Sequence, residues 1–367
     1  MMICLIRLSV HVVLLGLVLS VGAQPYSVFV NLRDEFIVLD DSIFRRLDFL
    51  PPRNHQVGGN AVVFTDNRGD LRIYQYGKMH KPFDAVVSEY GVSASLIYLR
   101  TPGGLYIWEE ERPILLTRFP GTYVLTDSLF AWLDAATRNF HVYYRGRQQL
   151  VMEAASVNPA VKMVAAGPNI IAFKPYEGVL NAFWNDQVFD LQPANPQRMV
   201  AGTDLLAYTD LHEPGLHVFY RGDEYTLEQF NPQSFQVGNG TVAFINREGQ
   251  FRVFQNGDLF DLGNYQPQLL VVKDNVVLFS DELQQTQVLY NGELYKLDNY
   301  IIENYYVNQN SVLFMDRSGR WQHFYAGMLN PLPPASYLST RLDYDVVQAE
   351  MQGKKFRFLV RGRLLDY

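Results

Sequence analysis

Apolar and polar positions alternate along the chain in short bursts, and the bursts form a phrase that recurs. One copy reads Thr241-Val-Ala-Phe244-Ile-Asn246, a turn at Arg247-Glu-Gly249, then Phe251-Arg-Val-Phe254-Gln-Asn-Gly257 and Asp258-Leu-Phe-Asp-Leu262. A stretch before it, Ser234-Phe-Gln-Val237, supplies a fourth segment. The segments are rich in Val, Phe and Tyr, which suit a pleated, half-buried surface, and their period of two predicts strands. Asn256-Gly257 and Asn291-Gly292 predict two-residue hairpin turns, because both central positions of that turn need positive φ. Beyond the N-terminal segment, no stretch carries a sustained helical period with caps.

The repeat extends over the whole chain. With Phe244 as anchor, equivalents fall at Phe29, Phe64, Tyr98, Trp132, Phe173, Tyr208, Phe279, Phe314 and Ala349, separated by 35, 34, 34, 41, 35, 36, 35, 35 and 35 residues. A second anchor about ten residues later reads Leu39, Tyr74, Trp108, Tyr143, Phe183, Phe219, Phe254, Leu289, Phe324 and Leu359. Three residues beyond it stands a glycine in seven units, replaced by Ser42, Glu111 and Asp186 in the others. Two registers that agree in this way define ten repeat units. Four short antiparallel strands in ~35 residues cannot cover both faces of their own sheet, so the units must stack on their neighbours.

These features predict an all-β chain, a β-propeller of ~35-residue four-stranded repeats. The first unit is expected to lack its innermost strand. Over residues 25–367 the sequence resembles repeat propellers in the broad sense, WD40-like and kelch-like in architecture. The Trp-Asp and Gly-His signatures of the former are absent, and the diglycine of the latter does not recur from unit to unit. Ten units fit one unusually large ring, two five-unit rings, or a short stack with displaced terminal hairpins. The join from Glu224 to Val237 has ordinary length and no linker composition, which favours one ring.

Arg7 precedes an apolar run from Leu8 to Val21, and Val21-Gly22-Ala23 stands before Gln24-Pro25. This is the pattern of a secretory signal peptide over residues 1–23, cleaved after Ala23, with 24–367 as one propeller domain. The run is shorter than the ~20 residues a spanning helix needs. The expected product is an exported chain, periplasmic or extracellular, monomeric and with no membrane span. Its single cysteine, Cys4, lies in the segment to be removed, which excludes disulfide, redox and thiolate-metal chemistry. Formal charge is −7 over the full chain, unfavourable for a nucleic-acid partner.

In a repeat protein, a polar residue that keeps register is best read as structural and one that breaks it as a candidate for function. Two residues after the first anchor stand Asn31, Asp66, Asp134, Asp210, Asn246, Asp281 and Asp316, which predicts side chains bonded to their own turn backbone. Arg100 puts a cation at that position, and Lys174 lies beside Pro175, another exception; each could meet an acidic ligand group, or Arg100 a neighbouring acid. His212-Glu213-Pro214-Gly215-Leu216-His217 could in principle serve metal or acid–base chemistry. His217, however, shares its register with His141 and reads as packing. The Trp108-Glu109-Glu110-Glu111-Arg112 run reads as a solvated edge. The connection from Val151 to Val164 is the longest departure from the repeat and is expected to overhang one face. Tyr300, Tyr305 and Tyr306, in an Asn/Tyr-rich connection, suit stacking and hydrogen bonding to sugar or peptide, and equally a blade edge.

No cofactor or metal site is expected, and no hydrolase, metalloprotease, phosphate-loop or EF-hand motif occurs. Two functional classes remain. One is an exported, non-catalytic binding scaffold for protein, peptide or glycan. The other is a propeller enzyme acting on polysaccharide, a glycoside hydrolase or lyase, which would require off-register carboxylates converging at one mouth. A purely structural envelope subunit is a third role, and fold alone does not choose among them.

Overall fold

The computed structural model describes residues 26–154, 161–175, 178–191 and 196–367. The repeat phrase folds as the pattern predicts. Blade 7 is the type case, with strand A at Ser234–Val237, B at Thr241–Ile245, C at Phe251–Gln255 and D at Asp258–Gly263, each antiparallel to the next. Ten such sheets follow one another at 26–48, 54–80, 89–117, 120–152, 162–191, 196–228, 234–263, 270–298, 305–331 and 337–366. Nine are four-stranded. Blade 1 has three described strands, and its first, Tyr26–Val30, is the equivalent of strand B elsewhere.

Every first-register anchor lies in a B strand and every second-register anchor in a C strand. Their side chains are the core: Phe64, Phe244 and Phe314 are each buried in a cluster between their own blade and the preceding one. Strand A is innermost, since the A strands of successive blades touch one another. The ring closes between blades 10 and 1. Ser27 donates to Gln348 at 2.7 Å, Arg341 donates to the carbonyl of Val28 at 2.5 Å, and Phe29 packs on Phe356 and Phe358. Blade 1 against blade 10, with every other neighbour sequential, is a single ring of ten and excludes two rings of five.

Turn chemistry follows the residues. In nine of the ten C–D turns both central residues have positive φ, as at Asn256 (54°) and Gly257 (100°). The A–B turns near the axis impose a different demand. A Cβ on Gly167 would collide with the carbonyl of Gly202, and one on Gly202 with that of Gly238, so only glycine admits the next blade's backbone this closely. No helix among the described residues is long and apolar enough to cross a membrane. Residues 1–23, expected from the sequence to be a signal peptide, and residues 155–160 of the long connection from Val151 to Val164, lie outside the described residues.

Candidate functional site

Because the strands alternate in direction, all B–C loops and D–A links fall on one face of the ring, here the loop face. The A–B and C–D turns fall on the other, the turn face. Every B–C loop that carries an in-register Asp or Asn is closed by it. The Asp66 carboxylate accepts from the amides of Arg68 and Asp70 at 3.0 and 2.9 Å, and Asp316 from those of Ser318 and Arg320 at 2.9 and 3.0 Å. Asn31, Asp134, Asp210, Asn246 and Asp281 do the same in their own loops. These acids are turn formers, spent on backbone donors.

The six candidate residues all sit at the loop face, spread over blades 3, 5, 6 and 9. Arg100, at the end of strand B of blade 3, meets a glutamate. Its guanidinium is 3.5 Å from Glu89 and 3.1 Å from the Tyr123 hydroxyl, while Tyr98 and Tyr123 donate to the same carboxylate at 2.7 and 2.6 Å. The two phenol donors, with Arg100 beside them, hold the Glu89 carboxyl below its ordinary value. Lys174 ends strand B of blade 5, half-buried and opposite Lys162. His212 is exposed in its loop, its amide bonded to Asp210 at 2.7 Å. His217 stacks on Tyr208, and His141 likewise stacks on Trp132. Tyr300 lies in the link into blade 9 with the Arg317 guanidinium 3.5 Å above its ring. Tyr305 packs against the core of blades 8 and 9, and Tyr306 is exposed and stacks on Trp321.

The triple carboxylate is likewise paired off. Glu109 accepts from the Tyr143 hydroxyl, Glu111 from Lys78 at 2.7 Å, and Glu110 from Arg112 at 3.4 Å. Among the described residues no group of His, Cys, Asp and Glu has metal-binding geometry.

Sequence reasoning missed the asymmetry of the faces. Among the described residues, nine exposed large apolar side chains occupy connections of the loop face: Leu32, Phe49, Leu50, Val86, Phe119, Leu211, Phe230, Leu283 and Tyr300. Described connections of the turn face hold one, Tyr76. Arginines lie over several of these rings, Arg46 at 3.8 Å from Phe49 and Arg247 at 5.2 Å from Phe230. A signal was present in the sequence: an aromatic residue one or two positions before proline in several D–A links, at Phe49-Leu50-Pro51, Phe119-Pro120 and Phe230-Asn231-Pro232.

The turn face carries the opposite chemistry. Near the axis the A–B turns are bonded blade to blade, Asn239 to Asn275 at 2.6 Å and Asn275 to Asn310 at 2.5 Å. Burial raises the carboxyls of Asp127 in blade 4 and Asp345 in blade 10, and the charge of Asp274 in blade 8 raises both further. Burial, then the charges of Asp127, Asp343 and Asp274, push Tyr344 up to about 12. Asp127, Asp274 and Asp345 stand in A–B turns of three non-adjacent blades on the turn face, and the charge of Asp274 acts on the other two.

A closed ring of ten blades agrees with the family comparison, in which the model of the 10-bladed beta propeller domain matches residues 20–364. The chain belongs to the ten-bladed β-propeller family. No curated protein matches it. Among solved structures, it is similar to the computationally designed Ika8 protein at 14% identity, over 76% of this chain and 97% of that one, with a TM-score of 0.32. The CRINKLY WD40 ectodomain of the Arabidopsis thaliana receptor kinase ACR4 matches at 11% identity over 66% and 96%, with a TM-score of 0.33. Kluyveromyces lactis Hsv2 matches at 16% over 64% and 90%, with a TM-score of 0.30.

In this ten-bladed propeller the loop face is also indented between blades. Clefts of about 220, 320 and 530 Å³ lie between blades 8 and 9, 9 and 10, and 10 and 1. Tyr300 and Arg317 line the first, Trp321, Tyr337 and Arg320 the second, and Tyr367, Arg33 and Lys355 the third.

Proposed function

We propose that the chain is exported, with residues 1–23 removed, and serves as a non-catalytic scaffold that binds a protein, peptide or glycan on its loop face. The observation that carries this reading is the nine-to-one division of exposed apolar side chains between the described connections of the two faces. Apolar surface left in water forgoes about 25 cal/mol per Å², and its concentration on one side marks a surface that a partner covers. The rigid ring holds these side chains at fixed spacing, which lowers the ordering cost of association. The candidate residues His212, Tyr300 and Tyr306 share that face and are solvent-accessible, and Lys174 stands at its edge. Arg100 is committed to Glu89 and serves by fixing the local surface.

The test is a glycan and peptide array probed with the chain from Gln24 onward, beside F119S/F230S/L283S and the turn-face variant Y76S. The triple variant is expected to lose the ligand and Y76S to keep it; the reverse sinks the reading. N-terminal sequencing of the exported product is expected to begin at Gln24.

The enzyme reading keeps one specific support, the axial acids. Carboxyls raised by burial beside another acid suit general acid catalysis. Release of reducing ends from a polysaccharide panel by the wild-type chain, abolished in D127N or D345N, would establish it, and absence of turnover retires it.

A further inference from the structure

We propose that the cleft at the ring seam, between blades 1 and 10, binds a carboxylate-bearing sugar chain. The inference deepens the scaffold reading by assigning a ligand class to one part of the same face. The cleft measures about 530 Å³, within the usual range for small-ligand sites, and lies where the first and last repeats meet.

Its charges do not cancel. Glu35 already accepts from Asn31 and Arg46, both at 2.8 Å, and Asp34 is paired with Lys354 at 3.1 Å. The side chains of Arg33 and Lys355 line the same cleft, and neither has a hydrogen bond or ion pair to a described residue. Four cations, Arg33, Arg46, Lys354 and Lys355, thus stand against three anions, Asp34, Glu35 and the terminal carboxylate of Tyr367, which leaves one positive charge for an anionic group, and the Arg33 guanidinium is a planar fork suited to a carboxylate. The floor is aromatic and held in place. The Tyr367 ring meets Phe29 and Phe44 edge-on, with centroids at 4.7 and 4.9 Å, and its hydroxyl accepts from Asn31 at 2.9 Å.

The cleft offers guanidinium, ammonium, amide and phenol side chains. The Tyr367 amide donates to the Phe356 carbonyl at 2.8 Å and its terminal carboxylate accepts from the Phe356 amide at 3.2 Å, so that amide offers a peptide no main-chain donor. Across blade 10 lies the 320 Å³ cleft with Trp321, Tyr337 and Arg320. Packed sheets stand about 10 Å apart. In that cleft Arg320 is held by Asp316 at 3.2 Å, so the second cleft adds rings rather than a free cation, and two adjacent aromatic clefts match a polymer that repeats its own rings.

The experiment is titration of the chain with an oligogalacturonate, its methyl ester and a poly-glutamate peptide, in low and high salt. The oligogalacturonate is expected to bind, more weakly at high salt, with the ester and the peptide at least roughly tenfold weaker. R33Q/K355Q is expected to lose affinity by roughly tenfold or more with its melting temperature unchanged, and R33K/K355R to retain it. No binding of the oligogalacturonate, equal binding of the ester or the peptide, or an unaffected R33Q/K355Q overturns the proposal. F119S/F230S/L283S separates the two readings. A ligand from the array that is lost in this variant, with no uronate binding, removes the seam site and leaves the scaffold standing.

Discussion

Ser27 and Gln348 stand 321 residues apart in the chain and share a buried 2.7 Å hydrogen bond. Gln348 also accepts from Arg341 at 2.8 Å, and Arg341 reaches the Val28 carbonyl, so one polar knot ties blade 10 to the inner edge of blade 1. Q348A removes the common acceptor and leaves the buried Ser27 hydroxyl only its longer 3.2 Å bond to Asp343. The expected loss is about 1–3 kcal/mol of unfolding free energy, read by chemical denaturation. An unchanged midpoint would mean that the aromatic cluster of Phe29, Phe356 and Phe358 closes the ring without help.

The B–C loops make a second prediction. Desolvation opposes ionisation of Asp316, but the donors of Ser318, Arg320 and Gln322 prevail and hold its carboxyl well below the ordinary range. A carboxylate depressed in the folded state contributes stability that is fully present above the unfolded value near 3.8 and lost as pH falls below it. D316A is expected to cost about 1–2 kcal/mol at pH 7 and to weaken the acid dependence below pH 4. D316N should retain much of the loop, since Asn31 and Asn246 do the same work in their units. The check is thermal unfolding from pH 2 to 7.

The Glu110-Glu111 hairpin invites a stabilising change. Both residues hold positive φ, 48° and 61°, where seven other C–D turns place glycine second. Asn-Gly suits that geometry, and the surface pairs that would be lost, Glu111 with Lys78 and Glu110 with Arg112, are worth little. E110N/E111G is expected to raise stability by about 1 kcal/mol, visible as a higher melting temperature.

The legible part of this molecule is what recurs. Phe64, Phe244 and Phe314 sit alike because the same apolar position faces the same neighbour in each unit, and Asp66 and Asp316 close the same loop. What the sequence left open depends on contacts outside the aligned phrase. Arg100 broke register and could meet a ligand or a neighbouring acid; its partner is Glu89, on the A strand of its own blade, with Tyr123 of the next blade beside it. The axial acids Asp127, Asp274 and Asp345 occupy turns of three separated blades, and only closure of a ten-membered ring brings the charge of Asp274 to bear on the other two. Ring closure likewise creates the seam cleft, where Arg33 and Lys355 meet from opposite ends of the chain.

His323 supplies a prediction of pH dependence from the core. It lies on strand C of blade 9 at 0% exposure, opposite Asn330, and neither ring nitrogen has a hydrogen-bond partner among the described residues. Burial alone lowers its value from 6.5 to about 4. The unfolded chain therefore binds a proton between those limits that the folded chain refuses, so stability falls as pH drops from 6.5 towards 4. A shift of that size is worth about 3 kcal/mol across the window. H323L should flatten the dependence between pH 4 and 6.5. At pH 7 it should match or exceed the wild-type stability, because it exchanges two unpartnered polar atoms for an apolar side chain opposite the buried Leu313. Denaturant midpoints at pH 4.5 and 7 for both chains decide it: an equal drop in wild type and H323L would place the acid sensitivity elsewhere.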